Sequence, residues 1–487
     1  MFKWLFLKFA DGYNGSIFGG FWYGWQVKLR NSWDKSALGH WIANGKEGEI
    51  TRRDWGNYTV PQWLQNSMLL KWLSHYEIFF AILLALAPVA STMICAALAG
   101  VTLASFILSR LMLYSKRHIT KKSFLSYVIV AFLILTLVYA LTSLDIIGSI
   151  KVWLIYAIFI VMFFIARQSI KQKRDWVTAC WIMVTVGFFI SAYGIYQNFF
   201  GNNLGHAWTD QTMFSDISVR VYSTLGNPNV LGEYLLLIIP LTIGLVWDEI
   251  KNYTREFFKI IRIILLLGFV VTQMLCMVFT QSRGCWIGLV FAAVVFILFV
   301  DKRWMALFIV LLCAAPFVLP HSIIQRLSSI GNVGDTSTAY RLDIWMGTLN
   351  MLKDFWLTGV GLGATAFAKV YPFYSYSMVT APHAHDIYLE TIAEMGIVGL
   401  GILLLITGSF IVLLLRRFVN STKKTREVIL MIAFMAGFLG FMLQGVFDYV
   451  WYNYRVFLFF WLFLGIGSMI IDTKEDKPLI ENHADKE

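Results

Sequence analysis

Long apolar runs recur along most of this chain and constrain its fold more than any other feature. A helix needs about 20 predominantly apolar residues to cross the hydrocarbon core of a bilayer. Hydrophobic residues make up 58% of the chain and charged residues only 14%. A water-facing globule of this composition would have too little polar surface to cover its apolar side chains. The sequence therefore predicts an all-α, polytopic membrane protein.

The apolar runs predict about 12 transmembrane helices. The first run, at about 78–113, is long enough for two helices that separate near Pro88. A long polar interruption then falls between the ninth and tenth helices. The other runs lie at about 124–142, 146–166, 177–199, 229–247, 261–280, 285–300, 304–320, 397–415, 428–447 and 454–471.

The positions of lysine and arginine predict the orientation of these helices. Cytoplasmic loops of membrane proteins carry an excess of both residues. If the N-terminus is cytoplasmic, every inside loop is rich in them, whereas the outside loops carry fewer over a greater length. This pattern predicts that both termini are cytoplasmic and that the polar interruption is outside. The net charge of +11 is explained by topology, so it does not indicate a nucleic-acid partner.

The same pattern divides the chain into three parts. Residues 1–76 contain scattered tryptophans among Lys, Arg and Gly, which predicts a cytoplasmic extension lying on the membrane surface. The alternative, in which these tryptophans contact carbohydrate, requires the extension to be outside. Residues 77–472 are predicted to form a transmembrane domain that includes an extracytoplasmic active-site loop at 320–396, and residues 473–487 a cytoplasmic tail.

Arginines on the predicted outer side are a functional signal, because the orientation rule does not account for them. Arg220 stands shortly before one helix and is a candidate for binding substrate. Asn227-Pro228 favours a turn, and Asn229 is a candidate helix N-cap. Both asparagines are also candidates for binding substrate. An arginine that contacts lipid phosphate is the alternative for Arg220.

Two further arginines, Arg283 and Arg341, are candidate catalytic residues on the same side. Arg283 lies in a very short turn between two helices, near the interior of the bundle, where an unpaired charge is costly and usually serves a site. The alternative is a side chain that extends to the lipid headgroups. Arg341 lies in the polar interruption, where pairing with Asp343 is the alternative to a functional role.

The end of the polar interruption contains the candidate general base. Asp386 is predicted to cap a helix that runs through Glu390 and Glu394 on one face. His385 then lies beside the N-terminal end of that helix, where an imidazolium is disfavoured. A general base requires a neutral imidazole, so we predict that His385 is catalytic. His383, Asp386 and Glu390 are candidate substrate-binding residues, although His383 is also interpretable as solvated.

A histidine surrounded by arginines fits transfer from a lipid-linked sugar diphosphate. Guanidinium groups bind phosphate oxygens in a bidentate manner and stabilise the charge on a departing diphosphate. One base deprotonates the acceptor hydroxyl, and direct displacement inverts the anomeric centre. The sequence has no dense set of metal ligands, so neither a metal nor another cofactor is predicted. The alternative is a secondary transporter or flippase for an anionic or lipid-linked substrate, which would place its charges at mid-membrane.

Four motifs on the predicted outer side together resemble the bacterial O-antigen ligase and O-antigen polymerase family, over about residues 78–470. Each motif combines glycines or a proline with an arginine, asparagine or histidine. They are Gly226-Asn227-Pro228-Asn229, Thr280-x-Ser282-Arg283-Gly284, Arg341-x-x-x-Trp345 with Gly359-Val360-Gly361-x-Gly363, and His383-Ala384-His385-Asp386-x-Tyr388-Leu389 with Gly396 and Gly399.

The resemblance implies a metal-independent membrane glycosyltransferase of the GT-C class. Its donor would be a glycan linked to undecaprenyl diphosphate on the outer face of the cytoplasmic membrane. Arg220, Arg283 and Arg341 match the family's arginines near the donor diphosphate, and His385 matches the histidine proposed to activate the acceptor. The family commonly has Asn where this chain has Asp386. The motifs do not separate ligases, polymerases and protein glycosylases, so they leave a sugar, lipid or protein acceptor open.

Overall fold

The computed structural model describes residues 67–112, 123–201, 220–252, 256–318, 321–329, 334–376, 378–421 and 425–469. Within these ranges the secondary structure is entirely helical. Nine of the helices are long and apolar enough to cross a membrane, and three further apolar helices are shorter. This confirms the predicted fold class. Most of the predicted N-terminal extension and all of the predicted tail lie outside the described residues.

Each predicted transmembrane helix corresponds to one observed helix, and the first apolar run forms two, with a turn after Leu86 where the break near Pro88 was expected. The helices before the polar interruption are α1 (Met68–Leu73), α2 (Tyr76–Leu86), α3 (Thr92–Met112), α4 (Phe124–Leu141), α5 (Ile146–Ser169), α6 (Lys173–Phe200), α7 (Pro228–Asn252), α8 (Glu256–Phe279), α9 (Arg283–Val300) and α10 (Trp304–Val318). The later ones are α11 (His321–Ser328), α12 (Thr336–Phe355), α13 (Ala364–Val370), α14 (Ile387–Asn420), α15 (Arg426–Gln444) and α16 (Tyr454–Met469).

Helices α7 and α15 form the centre of the bundle. In their most apolar windows 89% and 83% of the residues are buried, against 28% in α8. Helix α15 packs against both α7 and α9. Gly288 of α9 and Gly440 of α15 permit a close approach, since a Cβ added to Gly288 would lie 2.8 Å from the carbonyl oxygen of Gly440. Small residues at such contacts are typical of helices packed in membranes.

Helix α14 is broken at Gly396, whose φ is +62°. The turn that follows α12 crosses α14 at this point, where the amide of Ile397 donates to the carbonyl oxygen of Trp356 at 2.8 Å. A Cβ on Gly396 would lie 2.1 Å from the carbonyl oxygen of Leu357, so only glycine permits this crossing. The break separates the first turns of α14, which support the candidate site, from its long apolar part.

One end of the bundle collects the loops that carry the candidate residues, and we call it the site end. It contains the starts of α7, α9, α12 and α14 and the connection between α15 and α16. At the opposite end, ion pairs link neighbouring helices. They include Arg426 Nε to Asp248 Oδ2 at 2.5 Å and the pair Lys173–Glu427. The side of the membrane on which each end lies stays a prediction.

Candidate active site

A cavity of about 450 Å³ lies at the site end. Four arginines and a single carboxylate contribute to its wall, which gives it an excess of positive charge. Six of the nine residues predicted to form a site line it, although they come from four separate segments of the chain. They are Arg220, Asn227, Asn229, Arg283, Arg341 and His385.

The carboxylate in the wall is Asp448, between α15 and α16, and it joins three of the predicted residues. Its Oδ1 lies 2.9 Å from His385 Nδ1. Its Oδ2 accepts a hydrogen bond from Asn229 Nδ2 at 2.7 Å and lies 3.9 Å from Arg341 Nη2. Burial alone would raise the pKa of Asp448, but the contacts with His385 and Arg341 hold this pKa well below its usual value. The group is therefore ionised at neutral pH.

The carboxylate of Asp448 determines which ring nitrogen of His385 can accept a proton. An ionised carboxylate only accepts hydrogen bonds, so Nδ1 of His385 donates to Asp448. A neutral ring in this tautomer carries its lone pair on Nε2. The ring also contacts the edge of Tyr340, with 5.8 Å between centroids. An imidazole held in this way can act as a general base whose orientation is fixed by a second residue.

Arg283 is held by protein groups at the start of α9. Its Nη1 donates to the carbonyl oxygen and to Oγ of Ser329 at 2.9 and 2.8 Å, and its Nη2 pairs with Asp335. Burial alone would raise the pKa of Asp335, but the hydrogen bond from Arg283 lowers it. The Arg283 side chain is 9% exposed. These contacts are not those of an arginine that extends to lipid headgroups.

Arg220 lies beside the other three arginines of the cavity. Its Nε donates to the carbonyl oxygen of Thr280 at 3.0 Å and its Nη2 to Asn229 Oδ1 at 3.2 Å. Burial, together with the charges of Arg326 and Arg341, lowers the pKa of Arg220 to about 9. The guanidinium remains charged at pH 7, and an anion in the cavity would relieve the repulsion among the arginines.

The N-cap predicted at Asn229 is instead formed by Asn227. Helix α7 begins at Pro228, and Asn227 Oδ1 accepts the amide hydrogen of Asn229 at 2.8 Å. Proline suits the first helical position because its φ is already helical. Proline lacks an amide hydrogen, but an amide at this position would have no acceptor within the helix. The side chain of Asn229 is thereby left to bridge Arg220 and Asp448.

Arg341 does not pair with Asp343, its predicted alternative partner. Two residues apart on α12, their side chains leave the helix in different directions. Arg341 Nη1 instead donates to Ser337 Oγ at 3.1 Å, and Nη2 faces Asp448. Thr336, Ser337, Tyr340 and Arg341 line the cavity together, because this spacing covers one face of a helix.

Asp386 and His383 lie behind the wall of the cavity. Asp386 caps α14 as predicted, with Oδ1 accepting the amide hydrogens of Tyr388 and Leu389 at 2.7 and 2.8 Å. Burial raises the pKa of Asp386 to about 6. The His383 ring stacks on Tyr452 with 4.8 Å between centroids. Burial and the neighbouring His385 lower the pKa of His383 to about 3, so it is a neutral packed ring rather than a solvated one.

Glu390, the ninth predicted residue, is fully buried in the first turn of α14. Its Oε2 accepts the amide hydrogen of Ala384 at 2.6 Å. It contacts the loop that carries His385 and is not part of the cavity wall.

Sequence reasoning missed three charged residues of the site. Asp448 lies between the last two apolar runs, and its carboxylate on the predicted outer side was the available signal. Asp335 precedes Thr336 at the start of α12, which is a helix N-cap position. Arg326 lines the cavity from α11 and was predicted to lie on the same outer side as the arginines that were selected.

The Asp448→Asn variant tests whether Asp448 supports His385 in its predicted role as the base. The side-chain oxygen of asparagine still accepts a hydrogen bond, but the negative charge that stabilises an imidazolium is lost. A hydrogen bond to a charged group is worth about 1.5–3 kcal/mol, so we expect about a tenfold or greater loss of kcat in a transfer assay.

The same variant has a consequence for stability. A lowered pKa means that the Asp448 carboxylate contributes stability above its unfolded pKa, and this contribution is lost as the pH falls through the folded pKa. Thermal unfolding in detergent should show this loss in the wild type and a smaller one in the variant. Unchanged kcat in a folded variant would contradict the role given to Asp448.

Residues 267–404 match the family model for O-antigen ligase. This segment contains Arg283, Arg341 and His385, while Arg220 and Asp448 lie outside it in sequence and join it in the structure. The match confirms the resemblance that the motifs predicted. No match to a curated protein was found. Within the described ranges, no three His, Cys, Asp or Glu side chains are grouped to hold a metal ion.

Proposed function

We propose that this chain, which carries an O-antigen ligase domain at residues 267–404, transfers a glycan from an undecaprenyl-diphosphate-linked donor to an acceptor hydroxyl. It would act as a polysaccharide polymerase or ligase on the outer face of the cytoplasmic membrane. The observation that carries this proposal is the presence of His385 and the arginines Arg220, Arg283 and Arg341 in one cavity.

The arginines are proposed to bind the diphosphate of the donor. Four guanidinium groups face two carboxylates, Asp448 and Asp335, so the cavity retains positive charge for an anion. Guanidinium and phosphate match in charge and in bidentate geometry. When the bond from the anomeric carbon to the diphosphate breaks, negative charge moves onto the leaving oxygen. Fixed guanidinium groups stabilise that charge without reorganising, so no divalent cation is required.

His385 is proposed to activate the acceptor. Its Nε2 accepts the hydroxyl proton while the hydroxyl oxygen attacks the anomeric carbon on the face opposite the diphosphate. A glycosidic bond forms, polyprenyl diphosphate leaves, and the proton on His385 passes to solvent. Asp448 keeps the Nδ1 hydrogen in place and stabilises the imidazolium. A single displacement of this kind inverts the configuration of the anomeric carbon.

The proposal is tested with purified protein in proteoliposomes that contain an oligosaccharide linked to polyprenyl diphosphate. We expect a new glycosidic bond of inverted configuration by NMR, and undiminished transfer in the presence of EDTA. Movement of the substrate across the bilayer without a new bond would support the alternative, a secondary transporter or flippase. The grouping of the candidate residues at one end of the bundle disfavours that alternative, because transporters place such charges at mid-membrane.

A further inference from the structure

Glu390 is a buried carboxyl group that the proposed reaction does not use. Its side chain is fully buried in the first turn of α14, behind the cavity wall. Its Oε2 accepts the amide hydrogen of Ala384 at 2.6 Å. Ala384 immediately precedes His385 and is itself fully buried. The carboxyl group therefore bonds to the backbone of the short loop that presents the imidazole.

That loop needs support, because the backbone of His385 is strained. His385 has φ of +51°, in the left-handed region that residues with a Cβ rarely adopt. Such conformations persist only where surrounding contacts enforce them. On the C-terminal side the Ile387 amide donates to the carbonyl oxygen of Gly445 at 2.7 Å, and the ring is held by Asp448. On the N-terminal side the Ala384 amide donates to Glu390, and the His385 amide donates to His383 Nδ1 at 3.3 Å.

Burying a carboxyl group at this position costs free energy. Its presence therefore indicates that its hydrogen bond to the loop has a role. Burying a polar group costs free energy when its hydrogen bonds are incomplete. Glu390 Oε1 is buried and has no hydrogen-bond partner among the described residues. One turn later, Glu394 is also buried, and its Oε1 accepts the amide hydrogen of Gly363 at 2.7 Å. Each of the two carboxyl groups thus accepts a hydrogen bond from a backbone amide, but of the two only Glu390 bonds to the loop that carries His385.

We infer that Glu390 is a positioning residue, which holds His385 in its base orientation through the Ala384 amide. The inference rests on the proposed function of His385. Loss of this contact would allow the strained loop to relax and would move the imidazole relative to the acceptor hydroxyl. A displacement of about 1 Å can lower a rate by about a hundredfold. Donor binding would be unaffected, because the arginines lie in other segments of the chain.

The test compares Glu390→Met, which removes the acceptor oxygen, with Glu390→Gln, which retains one. Thr391→Val is the matched control, because Thr391 is the next residue, is also buried, and donates only to the carbonyl oxygen of Ile387 in its own helix. For each variant, thermal unfolding, donor KM and kcat are measured. We expect Glu390→Met to lower kcat by about tenfold to a hundredfold at unchanged donor KM. Glu390→Gln should recover most of kcat, and Thr391→Val should resemble the wild type.

Three outcomes would overturn the inference: wild-type kcat in folded Glu390→Met, a loss of kcat that glutamine does not recover, or a similar loss in Thr391→Val. If Glu390→Met does not fold, Glu390→Asp replaces it, since the shorter side chain keeps the carboxyl group but draws it away from Ala384. Wild-type kcat in Glu390→Asp would then be decisive against the inference. Full activity in His385→Ala would instead remove the proposed base, whereas an inactive His385→Ala beside a normal Glu390→Met removes only the positioning role.

Discussion

The His385→Ala variant is expected to lose about 10²–10⁴-fold in kcat, the range that general base catalysis supplies. The acceptor hydroxyl would then attack without a group to take its proton. Donor binding should change little, because the arginines remain in place. The measurement is the rate of glycosidic bond formation by purified protein with lipid-linked donor, alongside donor KM.

Two comparisons separate a lost base from a damaged protein. His75→Ala is the matched control, since His75 is an exposed histidine before α2 and is not part of the cavity wall. Added imidazole should restore part of the activity of His385→Ala, because a free imidazole can enter the vacated position and accept the proton. Activity within tenfold of wild type, or an equal loss in His75→Ala, would contradict the assignment of His385 as the base.

The helices were predictable because the properties that make them are local. An apolar run of sufficient length must satisfy its backbone hydrogen bonds internally in a membrane, and a helix does this within the segment. The cap at Asp386 is also local, since it involves residues two and three positions later. Local patterns therefore located the apolar helices and the start of α14.

The polar interruption shows a limit of that reasoning. Residues 320–396 were predicted as an extracytoplasmic loop in which a helix was foreseen only after Asp386, yet α12 within them is a helix of 20 residues. Polarity indicates contact with water or with other polar groups and does not by itself exclude a helix. The α12 side chains that line the cavity lie on one face of the helix. Because they include hydroxyl, aromatic and charged groups, the sequence does not show the helical period as a repeat of one residue type.

The partners of the charged residues in the site could not be predicted from local sequence patterns. Asp448 is 63 residues from His385 in sequence and 219 residues from Asn229, yet it bonds to both. From the local sequence, the partner considered for Arg341 was its near neighbour Asp343. The packing of α15 against α7 brings Asp448 and Asn229 together. The arginines could be selected by the side of the membrane predicted for them, but the identity of their partners depends on the tertiary structure.

The Arg283→Ala variant is expected to lose about 10²–10³-fold in kcat, the effect of removing one fixed donor from a group that stabilises developing charge. Arg283→Lys should fall between alanine and the wild type, since lysine keeps the charge but lacks the bidentate geometry. Arg416→Ala is the matched control, because Arg416 is an exposed arginine near the opposite end of α14. The measurements are kcat, donor KM and thermal unfolding in detergent.

A loss of activity in Arg283→Ala has a second possible cause, because the substitution leaves the buried Asp335 without its ion pair. An unpaired buried charge is strongly destabilising, so the variant should also unfold at a lower temperature. The double variant Arg283→Ala with Asp335→Asn removes that charge. We expect it to recover thermal stability while kcat remains low, because the missing guanidinium is not replaced. Recovery of kcat together with stability would show that Arg283 supports the fold and has no role in stabilising the leaving diphosphate.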